Sequence, residues 1–323
     1  MLQVTPLKNE YLEDAASLVS KRYKQLREQV PLLPSRYEEV DTLLPQLRNI
    51  LNASGIGVAA LDGGRLVGFL AGWQLASFRG KRSTYSPEWA NAADLENSAR
   101  IYQELYSQLA AVWQADGYDT HYISLFPNDV KALGAWHWLG FGMISVDALC
   151  GMDPLLGSEV DLDIRRAEPS DLDLVIEFHD ALRNYMTGTP VFLQTEKKDR
   201  SYLEEWLRNP EKDVWLAYRK AEPVAFMRFG PADHDVCTII IDEKTTSIYA
   251  AFTKDKAREE GVATALLARA LQSARDSGYE RCAVPFEPMN ILGSRFWLKH
   301  FDPVCYSVVR YLDHRLTQIG DPD

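Results

Sequence analysis

Moved forward by 161 positions (278 minus 117), distinctive residues of the first half of this 323-residue chain fall on matching residues of the second. Gly117-Tyr118 lands on Gly278-Tyr279, Pro127 on Pro288 and Trp136 on Trp297. Apolar helix positions obey the same shift, Ile101 onto Val262 and Leu105 onto Leu266. Distinctive residues repeated at one offset, in segments of matching pattern, point to an internal duplication. Two domains of like order are therefore expected, 1–152 and 161–323. Met152–Val160, where Pro and Gly separate two apolar segments, is the expected linker.

Each half reads as alternating helix and strand patterns, the signature of an α/β fold. In the first, Leu12, Ala16, Val19 and Tyr23 stripe a helix from Glu10 to Gln29, and a second helix covers Tyr37–Leu51. Strands at Gly57–Leu61 and Leu66–Leu75 flank the turn Asp62-Gly63-Gly64-Arg65, a hairpin signal. A polar stretch, Arg79–Asp94, precedes a helix to Ala115, a strand at His121–Phe126, a helix at Asp129–Leu139 and an apolar segment, Met143–Leu149. The second half repeats this order: strand Asp163–Ala167, two helices, strands at Val214–Tyr218 and Val224–Phe229, and a strand ending near Thr253. It closes with a helix over Gly261–Ser277, strand Cys282–Phe286, helix Ile291–His300 and strand Val304–Tyr311.

Composition excludes several classes. A net charge of −11 argues against a nucleic-acid partner, because that binding depends on Lys and Arg neutralising phosphates. No apolar run approaches the roughly 20 residues that span a bilayer, and the N-terminus carries no secretory pattern, so a cytoplasmic protein without membrane contact is expected. Four scattered cysteines and six histidines without ligand spacing predict neither disulfides nor a metal site.

The chemistry is concentrated in Ala251-Phe252-Thr253, the loop that follows, and Arg258-Glu259-Glu260-Gly261-Val262-Ala263-Thr264. A strand ends, a polar loop crosses over, and an amphipathic helix begins at a glycine. The first turn of a helix presents unpaired N–H groups and a positive dipole end. Because Gly261 has no side chain and Ala263 only a methyl, a diphosphate can approach that backbone closely, and Arg258 adds positive charge. At the same offset the first half has Asn97, Arg100 and Tyr102 in place of Arg258, Gly261 and Ala263. Those side chains should exclude a phosphate, so one binding half is expected and the other serves to shape or cover.

The segment resembles the coenzyme-A loop of GNAT acetyltransferases, Gln/Arg-x-x-Gly-x-Gly/Ala. Gly278-Tyr279 before a strand, Asn290 after it and the helix ending Phe296-Trp297-Leu298-Lys299-His300-Phe301 are similar to that family too. The resemblance covers 163–312 and implies two tandem GNAT-like domains, each a central mixed sheet flanked by helices, with the first degenerate. It further implies that Arg258–Ala263 hold the diphosphate of acetyl-CoA with Thr264 also at the coenzyme, that Ala251–Thr253 pair with its pantetheine arm, and that Asn290 and Trp297 border the thioester end. Two neighbouring parallel strands would splay to admit the thioester. The implied activity is N-acetyl transfer to the primary amine of a small molecule by a monomer or homodimer. A silent coenzyme-A-binding sensor or scaffold, or a protein-modifying acetyltransferase, are the alternatives. Where the family often has a proton-donating Tyr, this chain has Trp297, whose indole cannot act as an acid. Tyr306, Cys305 and His300 are candidate acids; Glu287 and Tyr249, or Asp242 and Glu243 through a water, are candidate bases.

Overall fold

The computed structural model describes residues 2–53, 55–155 and 160–317. The centre of the expected linker, 156–159, lies outside them. In chain order the elements are β1 (Gln3–Pro6), α1 (Leu12–Gln29), α2 (Val40–Asn52), β2 (Ile56–Asp62), β3 (Arg65–Phe78), β4 (Lys81–Ser86) and β5 (Asn91–Ala93). Then come α3 (Ser98–Ala115), β6 (Thr120–Leu125), α4 (Val130–Trp138), β7 (Gly142–Gly151) and β8 (Asp163–Arg166). They are followed by α5 (Leu172–Thr187), α6 (Arg200–Arg208), β9 (Asp213–Arg219), β10 (Glu222–Pro231) and β11 (Thr245–Thr253). Last are α7 (Val262–Asp276), β12 (Arg281–Phe286), α8 (Ile291–His300) and β13 (Asp302–Tyr311). Among the described residues no helix is long and apolar enough to cross a membrane.

Two local features repeat at the same offset in the coordinates. Gly117 and Gly278 both take left-handed backbone, φ 80° and 92°, at the turn that ends α3 and α7. Asp129 and Asn290, again 161 apart (290 minus 129), cap α4 and α8 through their side chains, accepting from the N–H groups of Ala132 and Gly293.

The chain forms two compact units. The first runs from the N-terminus to Val146 and adds Cys237–Ile239 and the segment from Pro303 onward; the second comprises Asp147–Val236 and Ile240–Asp302. The first unit's sheet has the order β1-β2-β3-β4-β6-β13, with β5 also on β3. Its β4 and β6 are parallel, and β13 pairs antiparallel with β6 from Tyr306↔Leu125 to Tyr311↔Thr120. The final strand, expected to complete the second half, therefore fills the free edge of β6 in the first. Cys237–Ile239 attach to the same unit: the Trp89 indole donates to Thr238 Oγ1 (3.1 Å), and the Ile239 amide to Glu88 (3.1 Å).

The expected polar stretch Arg79–Asp94 holds β4 and β5. Ser83, Thr84 and Ser86 are buried there, so the strand lacks the apolar alternation that would mark it. An aromatic core of Tyr102, Tyr106, Trp113, Trp136 and Phe141 packs within this unit.

The second unit's sheet has the order β7-β12-β11-β10-β9-β8, β7 contributing from Asp147 onward with Cys150 beside Cys282. β8 through β11 are antiparallel, and β11 is parallel to β12. Phe178 on α5 and Leu203 and Trp206 on α6 pack over Leu216 and Phe226 to form its core.

Candidate functional site

β11 and β12 share register only over Thr245–Ser247 and Arg281–Ala283, although β11 runs on to Thr253 and β12 to Phe286. The parallel pair thus opens after three residues. On its other side β11 stays paired with β10, but with a bulge: Arg228 faces Ala250 while Phe229 faces Ile248, leaving Tyr249 as the extra residue. An extra residue raises local twist and bends the strand just before Ala251–Thr253, which line the opening.

A cleft of ≈ 360 Å³ occupies it. Ala251, Phe252 and Thr253 form one wall, and Asn290, Gly293, Phe296 and Trp297 form the other. Arg258, Glu259 and Gly261–Thr264 close one end, where α7 begins. Gly261 caps α7 with φ 79°, a left-handed conformation that glycine takes without steric cost. The first intrahelical bond runs from the Ala265 amide to the Gly261 carbonyl, so the amides of Val262, Ala263 and Thr264 precede the helical ladder and face outward from the helix end. Gly293 also matters, since a Cβ there would lie 2.6 Å from the Asn290 side-chain nitrogen.

Eleven of the twelve residues expected to hold the coenzyme line this cleft; Glu260 does not, its carboxylate being paired with Arg219. Arg258 is engaged within the loop. Its Nε donates to the Thr253 carbonyl (3.0 Å), an Nη lies 2.8 Å from Asp255, and the guanidinium sits 4.7 Å above the Tyr185 ring. It therefore ties the loop to the end of β11, which the sequence reading did not foresee.

None of the seven candidate proton-transfer residues, Tyr306, Cys305, His300, Glu287, Tyr249, Asp242 and Glu243, lines the cleft. Tyr306 lies on β13 in the first unit, opposite Leu125. Tyr249 donates its hydroxyl proton to the Pro231 carbonyl (2.6 Å), and burial, reinforced by Asp233, pushes its pKa far up. Glu287 lies before the turn into α8, its carbonyl accepting the Asn290 amide. The residue that reading missed is Tyr185 of α5: it lines the cleft and donates to Asn290 Oδ1 (3.0 Å). No spacing signal links residues 105 positions apart.

The corresponding place in the first unit is built differently. Tyr102 is buried, donates to Asn91 (3.2 Å) and packs on Trp136 at 5.4 Å, while Asp129, the counterpart of Asn290, pairs with buried Arg22 at 3.1 Å. Asn97 and Arg100 border a polar hollow with Lys21, Asp62, Arg65 and Glu96, lined by both acidic and basic groups.

Residues 178–298 match the acetyltransferase (GNAT) family. This segment belongs to that family. No curated protein matches in sequence. At the level of fold, a GCN5-related N-acetyltransferase from Sphaerobacter thermophilus superimposes with a TM-score of 0.59 at 12% identity, over 96% of this chain and 95% of that one. The glucosamine N-acetyltransferase region of a fungal multi-domain beta-N-acetylglucosaminidase gives 0.51 at 12% identity, over 96% of this chain and 38% of that one. The GNAT segment thus contains the opened strands, the cleft and the glycine-led helix.

Proposed function

We propose that this chain is an acyl-CoA-dependent N-acyltransferase, with acetyl-CoA as donor and the primary amine of a small molecule as acceptor, and that only its second half binds the coenzyme. The observation that carries this is the cleft between β11 and β12, which meets the glycine-led start of α7. When bound, the coenzyme supplies a thioester whose acyl carbon an amine can attack. The amides of Val262, Ala263 and Thr264 suit a diphosphate, being N–H donors at a positive helix end. The edge of β11 at Ala251–Thr253, released from β12, suits the amides of an extended arm. Asn290, fixed by Gly293 and Tyr185, orients the reacting end.

Tyr185 is the one phenol lining the cleft among the described residues, and so the group we assign to protonate the departing sulfur. The amine proton leaves through water, and positioning of amine against thioester supplies much of the rate.

Calorimetric titration with acetyl-CoA should give one site per chain, and Gly261→Glu should abolish it by clash and phosphate repulsion. Thiol release with a panel of small amines should follow. Two sites, or unchanged affinity in the glycine variant, would overturn the assignment of the binding half. Binding without thiol release from any amine would leave a coenzyme-binding protein and remove the transfer reading.

A further inference from the structure

Arg228, on β10, is 3% exposed, and its Nε and Nη1 have no hydrogen-bond partner. A guanidinium cannot shed its charge at any ordinary pH, so burying it unpaired is costly. Among the described residues no carboxylate lies within ion-pair distance of it. What surrounds it is aromatic: Trp206 at 4.1 Å, Tyr202 at 5.4 Å and Tyr249 at 5.8 Å. The Tyr202 hydroxyl accepts a hydrogen bond from the guanidinium and the ring faces attract it, but neither is an acceptor of carboxylate strength. His179 of α5 feels the same charge, and its Nε2 is likewise buried without a partner.

The position is as informative as the vacant bonding. Arg228 pairs with Ala250 at the bulge of β11. Its neighbour Met227 and Ala250's neighbour Ala251 both line the cleft. Alternation turns the Arg228 side chain away from that of Met227, to the face covered by α5 and α6, the face that the cleft residues Tyr185 and Phe252 also reach.

We propose that Arg228, within its cage of Tyr202, Trp206 and Tyr249, docks a carboxylate carried by the acceptor, so that the amine acetylated belongs to an amino-acid-like molecule. This rests on the N-acyltransferase reading and narrows its substrate class. The carboxylate completes the hydrogen bonding of the fork, and the rings exclude the water that would weaken the pair. Access requires one covering ring to turn. Tyr202, half-buried in the first turn of α6, is that ring. Two exposed carboxylates follow β10, Asp233 and Asp235; Asp235 acts on Arg228 electrostatically, and Asp233 on Tyr249. An internal partnership of Arg228 with Asp235 is the competing explanation.

The test uses the full chain with acetyl-CoA, the twenty standard L-amino acids and their carboxamides. Thiol release gives KM for each, and Trp206 fluorescence reports binding without turnover. Acids should bind about tenfold or more tightly than their amides, the worth of a charge-assisted hydrogen bond. Arg228→Met should erase that difference while leaving acetyl-CoA affinity and Tm near wild type, and Arg228→Lys should restore part of it. Equal treatment of acids and amides by the wild type would overturn the proposal. So would a marked fall in Tm on Asp235→Asn, which assigns Arg228 to that carboxylate. Acids that shift the fluorescence without any thiol release would keep the carboxylate site and remove the transferase reading. Release from amines lacking a carboxylate, at equal KM, would do the reverse.

Discussion

Trp297 stands where the resembled family often has a tyrosine, and both its indole and the phenol of Tyr185, from another helix, line the cleft. If Tyr185 is the proton donor, Tyr185→Phe should lower kcat about 10²-fold or more, with KM for acetyl-CoA little changed. If it only braces Asn290, the loss is one hydrogen bond of about 1 kcal/mol, seen in Tm and not in kcat. Steady-state kinetics beside a thermal melt separates the two. Most of the cleft residues legible in the sequence lie within one continuous stretch, Ala251 to Thr264, because a strand end, a glycine and a helix start are local features; Asn290 and Trp297 were legible only through the family resemblance. Tyr185 and Arg228 were not legible. Their meaning lies in what α5 and β10 bring beside Asn290 and Ala250, and that pairing is set by tertiary packing.

At the scale of elements, the same strand was obscured in both halves. β4 buries Ser83, Thr84 and Ser86, and β11 buries Thr245, Thr246 and Ser247. Short hydroxyl side chains pack there, so a central strand reads as polar; Thr246 bonds to the Gly230 carbonyl at 2.9 Å and Ser83 to the Lys81 carbonyl at 3.1 Å, while the hydroxyls of Thr84, Thr245 and Ser247 have no partner. Between β4 and β5 the chain turns at Glu88, a carboxylate 1% exposed. Burial raises its pKa from 4.5 to about 7, against the lowering effect of amide hydrogen bonds from Thr238, Ile239 and Glu88 itself. Tyr37 is the ionisable group it acts on. Between those two values the folded chain holds a proton that the unfolded chain has released. Stability therefore falls as pH rises from about 4.5 to about 7 and is level above that. Glu88→Gln should flatten this slope and exceed wild type at pH 8 by up to about 3 kcal/mol, measured by urea unfolding across the pH range. An unchanged slope would show that Glu88 is charged throughout.

For the whole molecule, the duplication seen as a 161-residue offset gave the repeated order of elements but not the partition of strands (278 minus 117). Nothing in a strand's own residues says which edge it will join. Val304, Cys305, Val308 and Val309 of β13 are buried and would suit either sheet, and the free edge of β6 takes them. The first unit is consequently closed by residues from the far end of the chain, and the second takes in β7 from Asp147 onward. Neither half of the sequence is then a complete folding unit. Expressed alone, 1–160 would leave β6 with an unpaired edge, a template for association with other chains. It should be aggregated or unfolded by circular dichroism and size-exclusion chromatography. The same fragment extended by a linker and residues 302–317, placed to return β13 to β6, should recover a cooperative melt. A soluble, cooperatively folded 1–160 would mean that β6 can be capped without β13, and that the exchanged strand is dispensable to the first unit.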